Sequence, residues 1–437
     1  MRTLLFSQYY PPEVGATQTR MATFARHLAD AGHDVTVVAE VPNHPKGEIF
    51  PAWRGRLIDR RTEDGIDTVR LWVATSTVKS FWRRIAFYLT YCLGAAIAGS
   101  AIALRRRPDV VFASSPPLFV LVSAWVASLI GRAPLVIDIR DVWPAVGQAL
   151  GELGEGTPLR LAAALERFLY RRATRVTTVT QPFVDHIVAT GVDPDRVVLI
   201  PNGTLPDLFC PERAEPALRA RLGLPDDAFV VGYVGNHGIA QGLGALLDAA
   251  EALTDESRAW FLFVGEGPVK SALEAEAASR GLTHVVFRPE VPLERAPAHL
   301  AACDLLVVPL RRLELLDQFV PSKLFDALAC ERPVALLVDG EARRILADSG
   351  GGWFVPPEDG AALAELVRVL VADPARGRAA GRRGRAHVLE HFDRYRQASE
   401  LEALLESVAD VGARTPTNAS TLQAPVGAGG PTRGNSS

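Results

Sequence analysis

The stretch Arg196–Pro216, "RVVLIPNGTLPDLFCPERAEP", decides the fold. An apolar strand pattern runs into Asn-Gly, and turn formers and prolines then interrupt the periodicity. Strand and helix signals alternate on both sides of this break. Upstream the strand-like segments are "RTLLFSQYY", "HDVTVVAE", "DTVRLWVA", "PDVVFASS", "APLVIDIRD" and "RVTTVT". Helix patterns such as "TRMATFARHLADAG" and "GTPLRLAAALERFLYRRA" separate them. Downstream the alternation restarts at "AFVVGYVGN" and continues through "AWFLFVGEG", "HVVFRPEV", "CDLLVVPL" and "RPVALLVDG". Such alternation predicts an α/β protein built on parallel, doubly wound sheets. Two runs around one break predict two Rossmann-like domains facing a cleft. The expected division is 1–205, a linker at 206–226, a second domain at 227–390 and a helix at 391–411 returning to the first domain. The tail at 412–437, low in hydrophobicity and rich in small residues, is expected to be disordered.

The chain has 437 residues, 48% hydrophobic and 22% charged, which is a globular composition and too long for one core. Its net charge of −3 is unevenly distributed. Residues 1–200 carry 23 Lys/Arg against 18 Asp/Glu, and residues 201–437 carry 24 against 32. A basic first half suits an anionic partner such as a membrane surface. Without basic runs interleaved with aromatics, no nucleic-acid partner is expected. Cys92, Cys210, Cys303 and Cys330 are scattered with no CxxC pair, which predicts free thiols in a cytosolic setting. The first residues run straight into a strand pattern, so no signal peptide is expected.

Ile85–Leu104, "IAFYLTYCLGAAIAGSAIAL", is twenty uncharged residues flanked by Arg83-Arg84 and Arg105-Arg106-Arg107. It is long enough to span a membrane. The strand pattern "PDVVFASS" follows at once, however, and a spanning helix would separate it from "RTLLFSQYY" of the same sheet. The segment is therefore expected to be a core helix whose aromatic, basic edge "KSFWRR" touches the membrane interface.

The chemistry-bearing stretches lie at strand ends, where doubly wound sheets bind ligands. "VPSKLFDALACERPV" (Val320–Val334) opens a helix on which Ser322, Lys323 and Asp326 share one sector of about 100°. Leu324, Phe325 and Leu328 point elsewhere. Free N–H groups and the helix dipole at that end suit a phosphate, although an ordinary start capped by Ser322 fits the same letters. Gly235, Gly238 and Gly242 follow one strand, and Gly265 and Gly267 in "FVGEGPVKSALE" open a helix carrying Lys270. Neither domain has GxGxxG between strand and helix, which argues against a nicotinamide or flavin enzyme.

These motifs, in this order, resemble the GT-B glycosyltransferases of family 4, the retaining enzymes that use nucleotide sugars. The resemblance covers about Arg2 to Val411, through "YYPPEVGATQTR", "ADAGHDVTVV", "PDVVFASSPP", "DIRDVWP" and "IPNG". It continues in "VGNHGIAQGLGALLDAA", "FVGEGPVK", "CDLLVVPL" and "PSKLFDALACERPV". "PPEVGA…TR" and "DIRDVWP" are similar to the branch that assembles bacterial envelope polysaccharides on a lipid carrier.

The resemblance implies roles, residue by residue. Asp326 stands where the family has the second glutamate of an E-x7-E pair, which holds the ribose hydroxyls of the donor. Gln318, beside Asp317, replaces the first. Asn236 and Gln241 replace a common Arg and Lys that neutralise the diphosphate, so Lys323, Lys270 and helix N–H groups are expected to take over. His237, read as an exposed loop histidine, could donate to a phosphate or sugar hydroxyl. Glu266 lies in the second glycine loop, and Val291, with Glu290, stands where the family meets the nucleobase. Gly15 would let the first loop approach the diphosphate. Arg140 occupies a family histidine position and Asp141 keeps the neighbouring aspartate. Arg140 is expected to face phosphate and Asp141 to orient the acceptor hydroxyl or act as base, the alternative being an internal Arg–Asp bridge. His33 is expected to be structural.

The implied co-substrate is a nucleotide sugar, UDP favoured, with no other cofactor and no metal. The implied acceptor is a polyprenyl-diphosphate-linked saccharide, handled by a cytoplasmic enzyme peripheral to the inner membrane face. A nucleotide-sugar epimerase and a non-catalytic scaffold of a polysaccharide assembly complex are the other readings of the same residues.

Overall fold

The computed structural model describes residues 1–44, 47–76, 81–141 and 156–414. The tail read as disordered falls, from 415 onward, outside the described residues, as does "VWP" of "DIRDVWP".

The short apolar runs fall into two sheets. The first comprises β1 (Arg2–Phe6), β2 (Asp34–Glu40), β3 (Ile58–Glu63), β4 (Ile66–Leu71), β5 (Val110–Ser115), β6 (Leu135–Ile139), β7 (Arg175–Thr178) and β8 (Val197–Leu199). Its strand order is β3-β4-β2-β1-β5-β6-β7-β8, parallel except for the β3–β4 hairpin. The second comprises β9 (Phe229–Val234), β10 (Ala259–Val264), β11 (Val285–Arg288), β12 (Leu305–Pro309), β13 (Val334–Leu337) and β14 (Gly352–Phe354). Its order is β11-β10-β9-β12-β13-β14. Central strands such as β5 and β12 are buried along their whole length, because helices cover both faces of a parallel sheet.

On one face of the first sheet lie the helices Phe81–Arg106, Phe119–Gly131 and Thr157–Arg172. On the other lie Ala16–Asp30 and the last described helix, Arg394–Arg414. Ala398, Leu401, Leu405 and Val408 of that last helix are buried against Phe24 and Leu28. His27 Nε2 and His33 Nε2 each lie 2.8 Å from the Glu402 carboxylate, so the expected structural role of His33 is to tie this helix down.

The chain thus passes between the domains twice, and the two passages are joined. Thr204 N–H donates to Phe392 C=O and Arg394 N–H to Thr204 C=O, each at 2.9 Å. Gly203 is required there, since a Cβ would lie 2.2 Å from the Phe392 carbonyl oxygen. On the opposite rim Phe183 meets Phe319 edge-to-face at 5.1 Å, and Glu341 accepts from the Gln181 N–H at 2.8 Å.

Among the described residues one helix, Trp82–Arg106, is long and apolar enough to cross a membrane. Tyr91, Ala95 and Ala103 are buried on its inner face, and the Tyr91 hydroxyl donates to Val38 of β2 at 2.8 Å. A Cβ on Gly99 would lie 2.4 Å from the Phe6 ring of β1. The helix therefore packs on the sheet, but only along one side.

Candidate active site

The second domain supplies a glycine floor. Gly235 (φ +139°) ends β9 and Gly265 (φ +148°) ends β10, both in the left-handed half of conformational space. A Cβ on Gly265 would lie 2.0 Å from the Gly235 carbonyl oxygen, and one on Gly235 would lie 2.1 Å from Lys323 Cε. The two loops and the Lys323 stem therefore stack with no side chain between them. His237 N–H donates to Glu266 C=O at 2.8 Å, and Val269 N–H to His237 C=O at 3.1 Å, which locks the loops together. Gly238 and Gly267 belong to the same loops. Gly267 is pressed against His237 and Asn236, and the Asn236 carbonyl accepts from the Tyr233 hydroxyl at 2.6 Å.

The Ser322–Ala329 helix points its start at this floor. Leu324, Phe325 and Leu328 are buried while Ser322, Lys323 and Asp326 are half-buried, as the sector reading predicts. Ser322 is not the cap. The helix begins at Ser322, and Pro321 occupies the cap position with no side-chain bond, so among the described residues the first N–H groups lack a side-chain cap.

The cations sort themselves by partner. Lys270 Nζ pairs with Glu266 at 2.7 Å and donates to Arg288 C=O at 3.2 Å, so it is committed within its own loop rather than offered to a diphosphate. Lys323 has no salt-bridge partner among the described residues, and its Nζ sits 5.1 Å from the centre of the Tyr233 ring. His237 is not an exposed loop residue. It is fully buried between Tyr233 and Phe263, and neither ring nitrogen has a hydrogen-bond partner among the described residues. Burial, followed by Lys270, pulls its pKa down to about 4, so the ring is neutral at neutral pH. Sequence letters could not separate these cases, because a β-strand end reads alike whether its loop folds over or away. Gln318 closes a short 3-10 turn, half-buried beside Phe319, and Val291 packs at the edge of the second core.

The first domain supplies the facing wall. Gly15 caps the Ala16–Asp30 helix in an extended conformation and accepts from the Thr19 N–H at 3.0 Å. Arg140, at the end of β6, donates to Ser114 Oγ at 2.9 Å and Thr17 Oγ1 at 2.8 Å. Its carboxylate partner is Asp138 at 3.5 Å, not the adjacent Asp141, and burial pulls Arg140 down to about 10. Asp138 is fully buried and also pairs with Arg20 at 3.2 Å. Arg20 in turn donates to Ile200 and Pro201 carbonyls at 2.9 Å, fastening its helix to the first interdomain passage. Asp141 follows Arg140, half-buried, as the last described residue before 156.

Asp326 closes the ring. Its Oδ1 accepts from Thr204 Oγ1 at 2.9 Å, and burial raises its pKa to about 6 against the pull of Arg394, the Thr204 hydrogen bond and Lys323. Among the described residues Arg20, Arg140, Arg394 and Lys323 thus bear on Asp138, Asp141 and Asp326, four cations on three carboxylates. A glycine floor, uncapped helix N–H groups and several cations suit a diphosphate, and a nearby carboxylate suits a diol. Arg20, Thr204 and Arg394 were not expected at the site. Their partners lie more than a hundred residues away, and only "TR" of "PPEVGATQTR" hinted at one of them.

Comparison with known proteins agrees with this geometry. Residues 15–203 match the glycosyl transferase 4-like domain, and residues 228–373 match the glycosyl transferases group 1 domain. WcaI of Escherichia coli (strain K12), described as a colanic acid biosynthesis glycosyl transferase, is 30% identical over 75% of this chain and 81% of its own. A GDP-mannose-dependent alpha-(1-6)-phosphatidylinositol monomannoside mannosyltransferase of Mycolicibacterium smegmatis is 32% identical over 92% and 97%. The structure of Anabaena HepE in complex with UDP-glucose superposes with a TM-score of 0.69 at 19% identity, covering 93% of this chain and 100% of that one. The fold is GT-B, and the protein is a glycosyltransferase. The chain belongs to family 4 of that class.

Proposed function

We propose that the protein transfers a hexosyl or N-acetylhexosaminyl unit, with retention of configuration, from a nucleoside-diphosphate sugar to a polyprenyl-diphosphate-linked saccharide of the cell envelope. The acceptor hydroxyl oxygen attacks the anomeric carbon as its bond to the diphosphate breaks, and the acceptor proton passes to the departing diphosphate. Asp326 receives the ribose hydroxyls, while Lys323, Arg140 and the N–H groups of the glycine floor take the diphosphate charge. Asp141 orients the acceptor. UDP is the favoured nucleotide, and GDP, used by the mannosyltransferase relative, is its competitor.

The observation that carries the lipid-linked acceptor is the outer side of the Phe81–Arg106 helix. Trp82, Leu89, Leu93, Ile97 and Leu104 fall in one sector of about 80°, and their exposure runs from 47% at Leu89 to 75% at Trp82. Arginines stand at both ends of this stripe. In the same helical layer, where Trp125 meets Phe168 edge-to-face at 5.0 Å, Arg167, Arg171 and Arg172 line an open pocket of about 520 Å³. An apolar stripe rimmed by arginines suits an in-plane helix on an anionic bilayer.

The test incubates purified protein with UDP-, GDP- and dTDP-sugars, with and without polyprenyl-diphosphate saccharides in detergent, beside Asp326→Ala. Acceptor-dependent release of one nucleotide, lost in the variant, supports the transferase. Nucleotide binding without turnover on the whole panel would favour the scaffold reading.

A further inference from the structure

The carboxylate proposed for the ribose is not held by its own domain. Thr204 is fully buried, and its hydroxyl donates to Asp326 Oδ1 across 122 residues of chain. Both backbone groups of Thr204 are taken by the return passage, through Phe392 C=O and Arg394 N–H. The Arg394 guanidinium is buried, donates to Gly203 C=O, and bears on Asp326 electrostatically. The residue that aims the carboxylate is therefore clamped between the two strands that connect the domains.

We infer that Thr204 is a positioning residue for nucleotide binding, fixing the Asp326 carboxylate so that its remaining lone pairs face the ribose diol. This rests on the assignment of Asp326 to the ribose. An ionised carboxylate has roughly four acceptor sites. Thr204 occupies one, and the two ribose hydroxyls take two more without displacing it. An aspartate is one methylene shorter than the glutamate of the family pattern and reaches less far, so its direction matters more. Because Thr204 lies on the interdomain passage, any rotation of the domains that moves this passage also re-aims the carboxylate.

The experiment compares affinity for a nucleoside diphosphate and for its 2′-deoxy form by titration calorimetry, using whichever of UDP and GDP the wild type binds more tightly. Wild type is expected to prefer the ribonucleotide about ten-fold, the worth of one hydrogen bond to a charged group. Asp326→Ala should abolish the preference. Thr204→Val should reduce it to about two-fold or less, and Thr204→Ser, which keeps the hydroxyl, should restore it. A merely structural role for Thr204 would lower the melting temperature of Thr204→Val yet leave the ribo/deoxy ratio unchanged, and that result overturns the inference. If Asp326→Ala keeps the preference, or neither nucleotide binds, the ribose assignment itself fails and the inference falls with it.

Discussion

Asp326 sits where two opposite demands on its proton meet. Burial raises its pKa to about 6, so the free protein favours the neutral form below about pH 6, whereas a diol needs it ionised. Because the folded pKa lies above the ordinary value near 3.9, this group favours folding most below that value. It gives up that contribution as pH rises through about 6. Nucleotide affinity should run the other way, rising through about pH 6 and levelling above it. Arg394, which burial lowers only to about 10, keeps its charge across this range. The terminal phosphate of the nucleotide titrates within it, so the Asp326 step is read as the difference from a variant lacking the carboxylate. Calorimetric titration from pH 5 to 8 checks this, and Asp326→Asn should leave only the step of the phosphate itself. Arg20 gives a second prediction at this scale. It and Asp138 are 1% and 0% exposed, so Arg20→Met leaves Arg140 as the one cation on Asp138 among the described residues and removes the donor to the Ile200 and Pro201 carbonyls, which should cost about 3 kcal/mol in denaturant unfolding.

Among the elements, the glycine floor is the least tolerant. Gly265→Ala would place a methyl in contact with the Gly235 carbonyl at a backbone angle that L-residues avoid. It should cost about 2 kcal/mol and weaken nucleotide binding, as thermal shift with and without UDP would report. The alternation of strands and helices was legible because buried parallel strands are short apolar runs, and twelve of the strands announced themselves so. β3 and β14 did not. β3, "IDRRTE", is an antiparallel edge strand held partly by Asp59 pairing with Arg56 and Arg61, and its letters read as surface. β14 is only three residues, none fully buried. At the site the glycines and the Ser322/Lys323/Asp326 face were legible because each is set within one element. The burial of His237 and the contacts of Thr204 were not, since each depends on how separate loops fold together.

For the whole molecule, the basic excess in the first half of the sequence and the exposed stripe of the Phe81–Arg106 helix both belong to the first domain. Leu93→Glu combined with Ile97→Glu should abolish sedimentation with phosphatidylglycerol vesicles and leave nucleotide affinity unchanged, since neither residue approaches the cleft. Raising salt should weaken vesicle binding by the wild type only in part, because screening acts on the arginines and not on the apolar stripe. The helix was expected to be core, with its aromatic, basic N-terminal edge touching the membrane interface. It is core along one face, and Trp82, Leu89, Leu93, Ile97 and Leu104 on the opposite side are exposed among the described residues, which a hydrophobic run cannot reveal without knowing which face the sheet takes.

The return of the chain to its starting domain also bears on synthesis. Domains ordinarily fold in order as they leave the ribosome. Here Phe24, Leu28 and the neighbouring strands stay partly uncovered until Ala398, Leu401, Leu405 and Val408 have been translated. The second domain can be complete while the first still waits for its last wall, so a nascent chain stalled near His391 would carry a finished C-terminal half and an open apolar face on the half made first.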